Sequence, residues 1–478
     1  AEVGTRAACA TVLACAANAC SPGQPDAPAT GSASIEQTVQ GSRPTSDLVE
    51  SFDGLGFWYE GPQGQAAGRN PSDNSLAVGP NHIVQTVNSR LAVFTKEGDV
   101  FETTGRVLYG AVPTNTVFHG FGGACEASNN GDAVVRYDQL ADRWLVVMPL
   151  FRRAPSRPDQ PEVWQSGQTV YLSPPGVTGQ PGPAAPLFVP PPADGTQGSG
   201  RTGERPPPEA GPYSMCYAVS TSSDPLGSYY RYEFMRPLFP DYPRPAVWPD
   251  GYYVPTSTGD DVIQKHACVV DRAAMLLGEP ATEQCVIVAD VNFLNNADLD
   301  GQVLPPAGAP NIVMATGGMQ LRGDFEDDGI YVWQFHVDWE DPANTTLSGP
   351  EKIVVAPYHY LCDGQLTNCV RQPGTDQHLD SQGDKIMARL VYRNIDGRES
   401  VVAVHSVVTD AGAGGVRWYE FGVEANRSVV LRQQGTYAPD AYYRWMASPA
   451  IDSRGNIGIG YSFGGTPHYP GQRFAGRM

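Results

Sequence analysis

One repeated unit limits this chain more than anything else in it. Residues 444–462 read as a hairpin: a first strand ending in Ala450-Ile451, the turn Asp452-Ser453-Arg454-Gly455-Asn456, and a second strand, Ile457 to Tyr461, that alternates apolar residues with glycine. The same apolar–turn–apolar form recurs in 75–88, 134–147, 245–254 and 388–405, with a less regular copy built from Asn311 to Thr316 and Ile330 to Trp339. Each unit is usually followed by an amphipathic strand. In the first copy, Arg90 to Phe94 and the strand after Lys96-Glu97-Gly98-Asp99 bring the total to four antiparallel strands in about 30 residues, the size of one propeller blade. A sandwich also has many short strands, but it does not repeat one four-strand unit. The expected class is therefore all-β, a β-propeller of four-stranded antiparallel blades. Six or seven blades are both open, as is an incomplete last blade. Pro470 to Met478 reads as the start of another innermost strand, and Phe52 to Tyr59 as a segment that can complete a seventh blade. The 53 glycines and 43 prolines in 478 residues fit this turn-rich architecture.

The second unit is interrupted. Its later strands, Met215 to Ser220 and Tyr229 to Phe234, follow residues 152–212, which carry runs such as Pro190-Pro191-Pro192 and Pro206-Pro207-Pro208. Such a stretch lacks the donors and side chains of a sheet interior and reads as a surface insertion. At the other end, Arg6 precedes a short apolar run, Ala7 to Ala19, and then Cys20-Ser-Pro-Gly-Gln-Pro. This resembles a bacterial lipoprotein signal with Cys20 as the lipidated residue and Cys15 as the alternative. The expected organisation is a signal segment over 1–20, a Pro/Gly/Ser-rich linker over 21–50 and one propeller domain over 51–478. Outside the leader, Cys125, Cys216, Cys268, Cys285, Cys362 and Cys369 form an even set that suits an oxidising compartment. Cys362 and Cys369 bracket a polar turn and are the best disulfide candidate. The pairings Cys268–Cys285 and Cys125–Cys216 follow by elimination. The net charge of −19 argues against nucleic acid as a partner.

Several phrases resemble a family of secreted bacterial β-propeller proteins of unassigned function. They are 131–144 (Gly-Asp-Ala-Val-Val-Arg-Tyr-Asp-Gln-Leu-Ala-Asp-Arg-Trp), 220–232, 248–253, 371–393 and 437–462. The resemblance covers residues 70–478 apart from the insertion and implies the fold, with no activity attached. Ser222-Ser-Asp-Pro-Leu-Gly-Ser-Tyr229 is similar to the Asp-box turn of sialidase blades, which is a structural turn.

A propeller presents ligands at the mouth of its channel, so polar residues at the starts of the hairpins are the candidates. Asp138, Asp250, His378 and Asp380 are the candidate acid/base groups; His378 and Asp380 alternate onto one face of an extended strand. Asp138, Asp250 and Asp452 fall in corresponding turns, where an Asp also serves simply to bind backbone N–H groups. Tyr252, Arg389, Tyr443, Arg444 and Trp445 are the candidate ligand-binding residues. Two acidic stretches offer oxygen ligands for structural Ca²⁺: one runs from Asp290 to Gly301 and includes Asp298 and Asp300, and the other holds Asp324, Asp327 and Asp328. No H-E-x-x-H or G-x-S-x-G motif is present. The leading expectation is an exported, lipid-anchored propeller that recognises an extracellular glycan or protein and meets the membrane only through its anchor. The alternatives are a carbohydrate-active enzyme (glycosidase or lyase) and a structural component of the cell surface. Calcium is the one cofactor expected, and oligomeric state stays open.

Overall fold

The computed structural model describes residues 9–12, 35–45, 47–66, 71–151, 169–171, 182–186, 213–236, 240–256, 264–289, 291, 293–318, 328–364 and 368–478. The chain is all-β and divides into two compact units. Residues 51–262 with 266–287 make up most of the first, and 288–478 most of the second.

Three antiparallel sheets build the first unit. Strands β1 (Ser75–Val78), β2 (His82–Val87), β3 (Arg90–Thr95) and β4 (Val107–Pro113) form one sheet in sequence order. The second contains β5 (Val134–Asp138), β6 (Arg143–Leu150), β7 (Tyr213–Ser220) and β8 (Ser228–Arg236). The third contains β9 (Ala246–Trp248), β10 (Gly251–Tyr253), β11 (Gln264–Val270) and β12 (Glu283–Ala289), with the short helix Arg272–Leu277 between its last two strands. Asp271 caps that helix by accepting a hydrogen bond from Ala274 N, and Gly278 ends it in the left-handed region at φ 70°. The first strands of neighbouring sheets lie against each other, β5 beside both β1 and β9, as in propeller blades.

The second unit repeats this plan. One sheet holds β13 (Asn295–Leu299), β14 (Asn311–Gly317), β15 (Gly329–His336) and β16 (Thr346–Ile353). The next holds β17 (Leu390–Ile395), β18 (Arg398–Val408), β19 (Gly414–Val423) and β20 (Val429–Tyr437). The last holds β21 (Tyr443–Ile451), β22 (Ile457–Gly465) and β23 (His468–Arg477). First strands again adjoin: β13 pairs in parallel with β17, from Ala297↔Leu390 to Leu299↔Tyr392, and β17 lies beside β21. Among the described residues, each unit holds three blade-like antiparallel sheets in a propeller-like arrangement, built on four strands except for the three-stranded last one.

Local chemistry explains the hairpins. The β17–β18 loop is Asp396-Gly397, with φ of 52° and 85°, the two-residue turn whose twist matches the strands. The valine-rich run Val401-Val402-Ala403-Val404 lies in β18 and is buried on both faces. Between the sheets of the first unit, Val93, Val135, Trp144, Val146 and Met148 pack into one core with the Cys125–Cys216 disulfide. In the second, Val391, Val402, Val404, Ile457 and Tyr461 do the same. Each such aliphatic side chain contributes about 1.5–3 kcal/mol by leaving water.

Some segments differ from expectation. His468–Arg477 is the third strand of the last sheet, paired with β22 from Gly465↔His468 to Ile457↔Arg477, and not the start of a further blade. Phe52 and Tyr59 set their rings on Phe94 of β3, with centroids 5.2 and 6.1 Å apart. Glu36–Gln37, inside the expected linker, pairs in parallel with Thr436 and Tyr437 at the outer edge of β20. Of the insertion, Thr169–Tyr171 adds to β12 and Gly182–Pro186 to β8; the rest lies outside the described residues, as do Cys15 and Cys20. No helix among the described residues is long and apolar enough to cross a membrane.

Candidate functional site

The first strand of each blade begins at a polar loop, and that loop is where the sequence places a ligand site. In the first unit, two of these loops meet. Asp73 stands two residues before β1, and Asp132 two residues before β5. Their carboxyls share a hydrogen bond. Asn88, in the β2–β3 turn, donates from Nδ2 to Asp73 Oδ2 at 2.7 Å. Asp73, Asn88 and Asp132 all have left-handed backbone, with φ of 42°, 49° and 56°. Three non-glycine residues in this sparsely populated region, touching one another, are held there by their surroundings. Neighbouring Gly131 has φ 99°, and a Cβ on it would sit 3.2 Å from Asn88 Oδ1.

Burial pushes the Asp132 carboxyl up to about 8, reinforced by its hydrogen bond to Asp73 and by the charges of Asp73 and Asp241. Near neutral pH, Asp132 is a proton donor facing another carboxyl. Both side chains stay partly open to solvent. These residues were not singled out from sequence. The available signal was positional: an Asp two residues ahead of the first apolar strand occurs in Ser72-Asp73-Asn74-Ser75 and again in Gly131-Asp132-Ala133-Val134.

The residues that were singled out lie elsewhere. Asp138 closes β5, fully buried. Its Oδ1 accepts from Leu140 N and Ala141 N at 3.0 and 3.2 Å, and its Oδ2 from Tyr252 OH at 2.9 Å and Arg272 Nε at 2.7 Å. Asp138 is thus a clamp between two sheets, and Tyr252 is part of it. Burial raises the Tyr252 phenol well above its ordinary range, and the Asp138 charge adds to this. Asp250 accepts from Tyr253 OH at 3.1 Å. Asp452 fixes its own turn by accepting from Arg454 N and Asn456 N, both at 2.8 Å. Burial favours its neutral form, but the hydrogen bonds from Asn456 and Arg454 win and hold it below the usual carboxylate range.

In the second unit, His378 is exposed, and Asp380 uses both oxygens on Gln382, accepting from its N at 2.8 Å and Nε2 at 2.9 Å. No ion pair joins His378 to Asp380 among the described residues. Arg389 does not project to a ligand: its Nε meets Asp298 Oδ2 at 2.7 Å and its Nη2 meets Asp300 Oδ1 at 2.6 Å. The stretch read as an acidic loop is therefore partly the buried strand β13, and two of its carboxylates carry a guanidinium. Asp328 accepts from Tyr358 N at 3.1 Å; Asp324 and Asp327 lie outside the described residues. Arg444 is buried, forked onto both oxygens of Asp440 at 2.8 and 2.6 Å, with its guanidinium 5.3 Å from the Phe463 ring. Trp445 packs with Leu361, Cys362 and Val370, and Tyr443 is half-buried at the edge of that cluster. All three expected disulfides are formed: Cys125–Cys216, Cys268–Cys285 and Cys362–Cys369.

No family model matches this sequence, and no curated protein matches it. Among solved structures, a point mutant of the NanB sialidase from Streptococcus pneumoniae aligns over 84% of this chain and 67% of its own, at 10% identity and a TM-score of 0.40.

Proposed function

We propose that this chain is an exported propeller module that recognises a hydroxyl-rich extracellular ligand, a glycan in the first place or a glycosylated protein, at the loops leading into its first strands. The observation that carries this reading is the Asp73–Asp132 pair. A protonated carboxyl beside an accepting one offers a donor and an acceptor a few ångströms apart, the complement of a sugar hydroxyl pair. Recognition is favoured over catalysis because the acid/base candidates Asp138, Asp250 and Asp380 are engaged by neighbouring protein groups. Export is supported by the lipoprotein-like leader ending at Cys20 and by three disulfides.

The second reading, a glycosidase or lyase at the same place, draws on the same pair: a carboxyl that keeps its proton near neutral pH is in the right form to protonate a leaving group. A glycan array run beside a hydrolysis assay separates the two. Binding without turnover, weakened in Asp132→Asn, supports recognition. Turnover abolished in Asp132→Asn supports the enzyme. Binding equal in the chain and in the variants Asp132→Asn and Asp73→Asn would remove the carboxyl pair from either role.

A further inference from the structure

The third sheet carries a second constellation, independent of the carboxyl pair. We propose that Cys268 and Cys285, in their dithiol form, join Glu283 to bind one thiophilic divalent cation of the zinc class.

The placement comes from strand geometry. Glu283 and Cys285 are two apart on β12, and alternation puts both on one face of that strand. The disulfide, with Cα atoms 4.0 Å apart, puts Cys268 of the neighbouring strand β11 beside Cys285 on the same face of the sheet. Sulfur atoms of Cys268 and Cys285 and a carboxylate oxygen of Glu283 lie within 4.8 Å of one another, all buried. Tetrahedral coordination at about 2.3 Å per sulfur asks the thiolates to part to about 3.8 Å, within reach of side-chain rotation alone.

One orphaned polar group of the cluster points to a ligand. Glu283 Oε1 is engaged, accepting from Tyr217 OH at 2.9 Å and from Arg236 Nη2 at 2.5 Å, whereas its buried Oε2 has no partner. One oxygen is oriented and the other is left for the cation, the usual division between inner ligands and the groups that hold them. Arg236 Nη1 also stands 2.7 Å from Cys268 Sγ, where it can donate to a bound thiolate. Two thiolates and one carboxylate against a divalent ion and one guanidinium leave no net charge in a buried place.

The step balances with an external dithiol as reductant. Exchange passes two electrons to the Cys268–Cys285 bond, the dithiol leaves as its own disulfide, and cation binding releases the two thiol protons. The oxidised chain therefore holds no ion here.

The full chain, reduced under nitrogen and freed of reductant, is titrated with Co²⁺ and followed by its thiolate charge-transfer and tetrahedral ligand-field absorption. Expected is one Co²⁺ per chain, displaced by Zn²⁺, with none taken up by the oxidised chain or by reduced Cys268→Ser/Cys285→Ser. Arg236→Gln should weaken binding about 10- to 100-fold. Alkylation followed by peptide mapping should show Zn²⁺ protecting Cys268 and Cys285 but not the other seven cysteines. If reduction itself melts the sheets, Zn²⁺ should restore the strand signal in circular dichroism for the chain and not for the double variant. No uptake, equal uptake by the double variant, or melting that Zn²⁺ fails to reverse each overturns the proposal.

Discussion

Asp132 should leave a visible mark on folding. Its carboxyl is pushed up to about 8 in the native chain, against about 3.9 in an unfolded one. Between these values the native state holds a proton that the unfolded state has released, so stability falls as pH rises. The contribution is whole below about pH 4, is lost through the window up to about pH 8, and does not change beyond it. Its ceiling is about 1.4 kcal/mol per pH unit. Partial exposure of the pair and screening by solvent lower that. From about pH 5 to about pH 7 the expected loss is about 1–2 kcal/mol.

Asp132→Asn isolates the effect, because it keeps a donor toward Asp73 and cannot titrate. Urea unfolding of chain and variant across the pH range gives two stability curves, and their difference cancels every other ionisable group. The variant should gain about 1–2 kcal/mol on the chain over that window. Parallel curves, or a difference of the opposite sign, would refute the assignment of the proton to Asp132. Asp73→Asn provides the cross-check. Without the neighbouring charge, the Asp132 window should contract toward acid.

Three further outcomes follow from the packing. Asp138→Ala strands Arg272 and Tyr252 in the core and should cost about 3–5 kcal/mol in denaturant unfolding; a loss below about 1 kcal/mol would mean the clamp is solvated. Loop entropy ranks two disulfides: Cys125–Cys216 spans 91 residues and Cys362–Cys369 spans 7, so replacing the first pair by alanine should cost about 4–5 kcal/mol and the second about 2–3 kcal/mol. Reversal of that order in thermal melts counts against the reading. Gly131→Ala must place a Cβ 3.2 Å from Asn88 Oδ1 at a φ of 99°; a loss of about 1 kcal/mol or more is expected, together with loss of the Asp132 pH window.

Repetition made most of the fold legible. A single hairpin such as Val134 to Val147 is ambiguous, but six copies of one form leave few architectures. What escaped reading had no pattern of its own. Strand β13 is Asn295-Asn296-Ala297-Asp298-Leu299, a sequence with poor strand character. It is a strand because its polar groups are answered from elsewhere: Asn295 donates to Ile386 O, Asn296 to Asn311 Oδ1, and Asp298 takes Arg389. Such partners are remote in sequence, so composition alone reads the stretch as a loop. The last strand is legible as a strand, but its place as the third strand of the last sheet is not. It is exposed on both faces over most of its length, so it shows no alternation. Site residues followed the same division. The turn role of Asp452 is local and was readable, whereas the meeting of Asp73 with Asp132 requires two loops 59 positions apart to close on each other.

A compositional oddity gains a physical reason from these pairs. Only four of the 32 basic residues are lysine. The buried and half-buried carboxylates show what arginine is doing. Asp138 is forked by Arg272, Glu283 is met by Arg236, Asp298 and Asp300 share Arg389, both oxygens of Glu399 take Arg427, and Asp440 is forked by Arg444. At Asp138, at the Asp298–Asp300 pair and at Asp440 the contact uses two nitrogens of one planar cation, a fork that an ammonium cannot supply. Lys385 beside Asp384 is a buried exception, its ammonium 3.1 Å from that carboxylate. Against this rule the Asp73–Asp132 pair stands apart. Among the described residues it has no cationic partner, and it meets its charge problem by keeping a proton. A carboxyl pair that is partly open, held in left-handed backbone and left without a cation, in a chain that supplies one to its buried acids Asp138, Glu283, Asp298, Asp300, Asp384 and Glu399, is the place where a ligand has something to complete. Installing the missing partner is therefore a direct test. Ala133 lies next to Asp132 and is buried, so the cation is better brought from the half-buried Ser75, whose hydroxyl now bonds Val135 O at 3.3 Å. Ser75→Arg should pull Asp132 back toward an ordinary carboxylate, flatten the stability loss between about pH 5 and about pH 7, and abolish ligand binding. An unchanged pH window with intact binding would show that the pair is neither the titrating group nor the site.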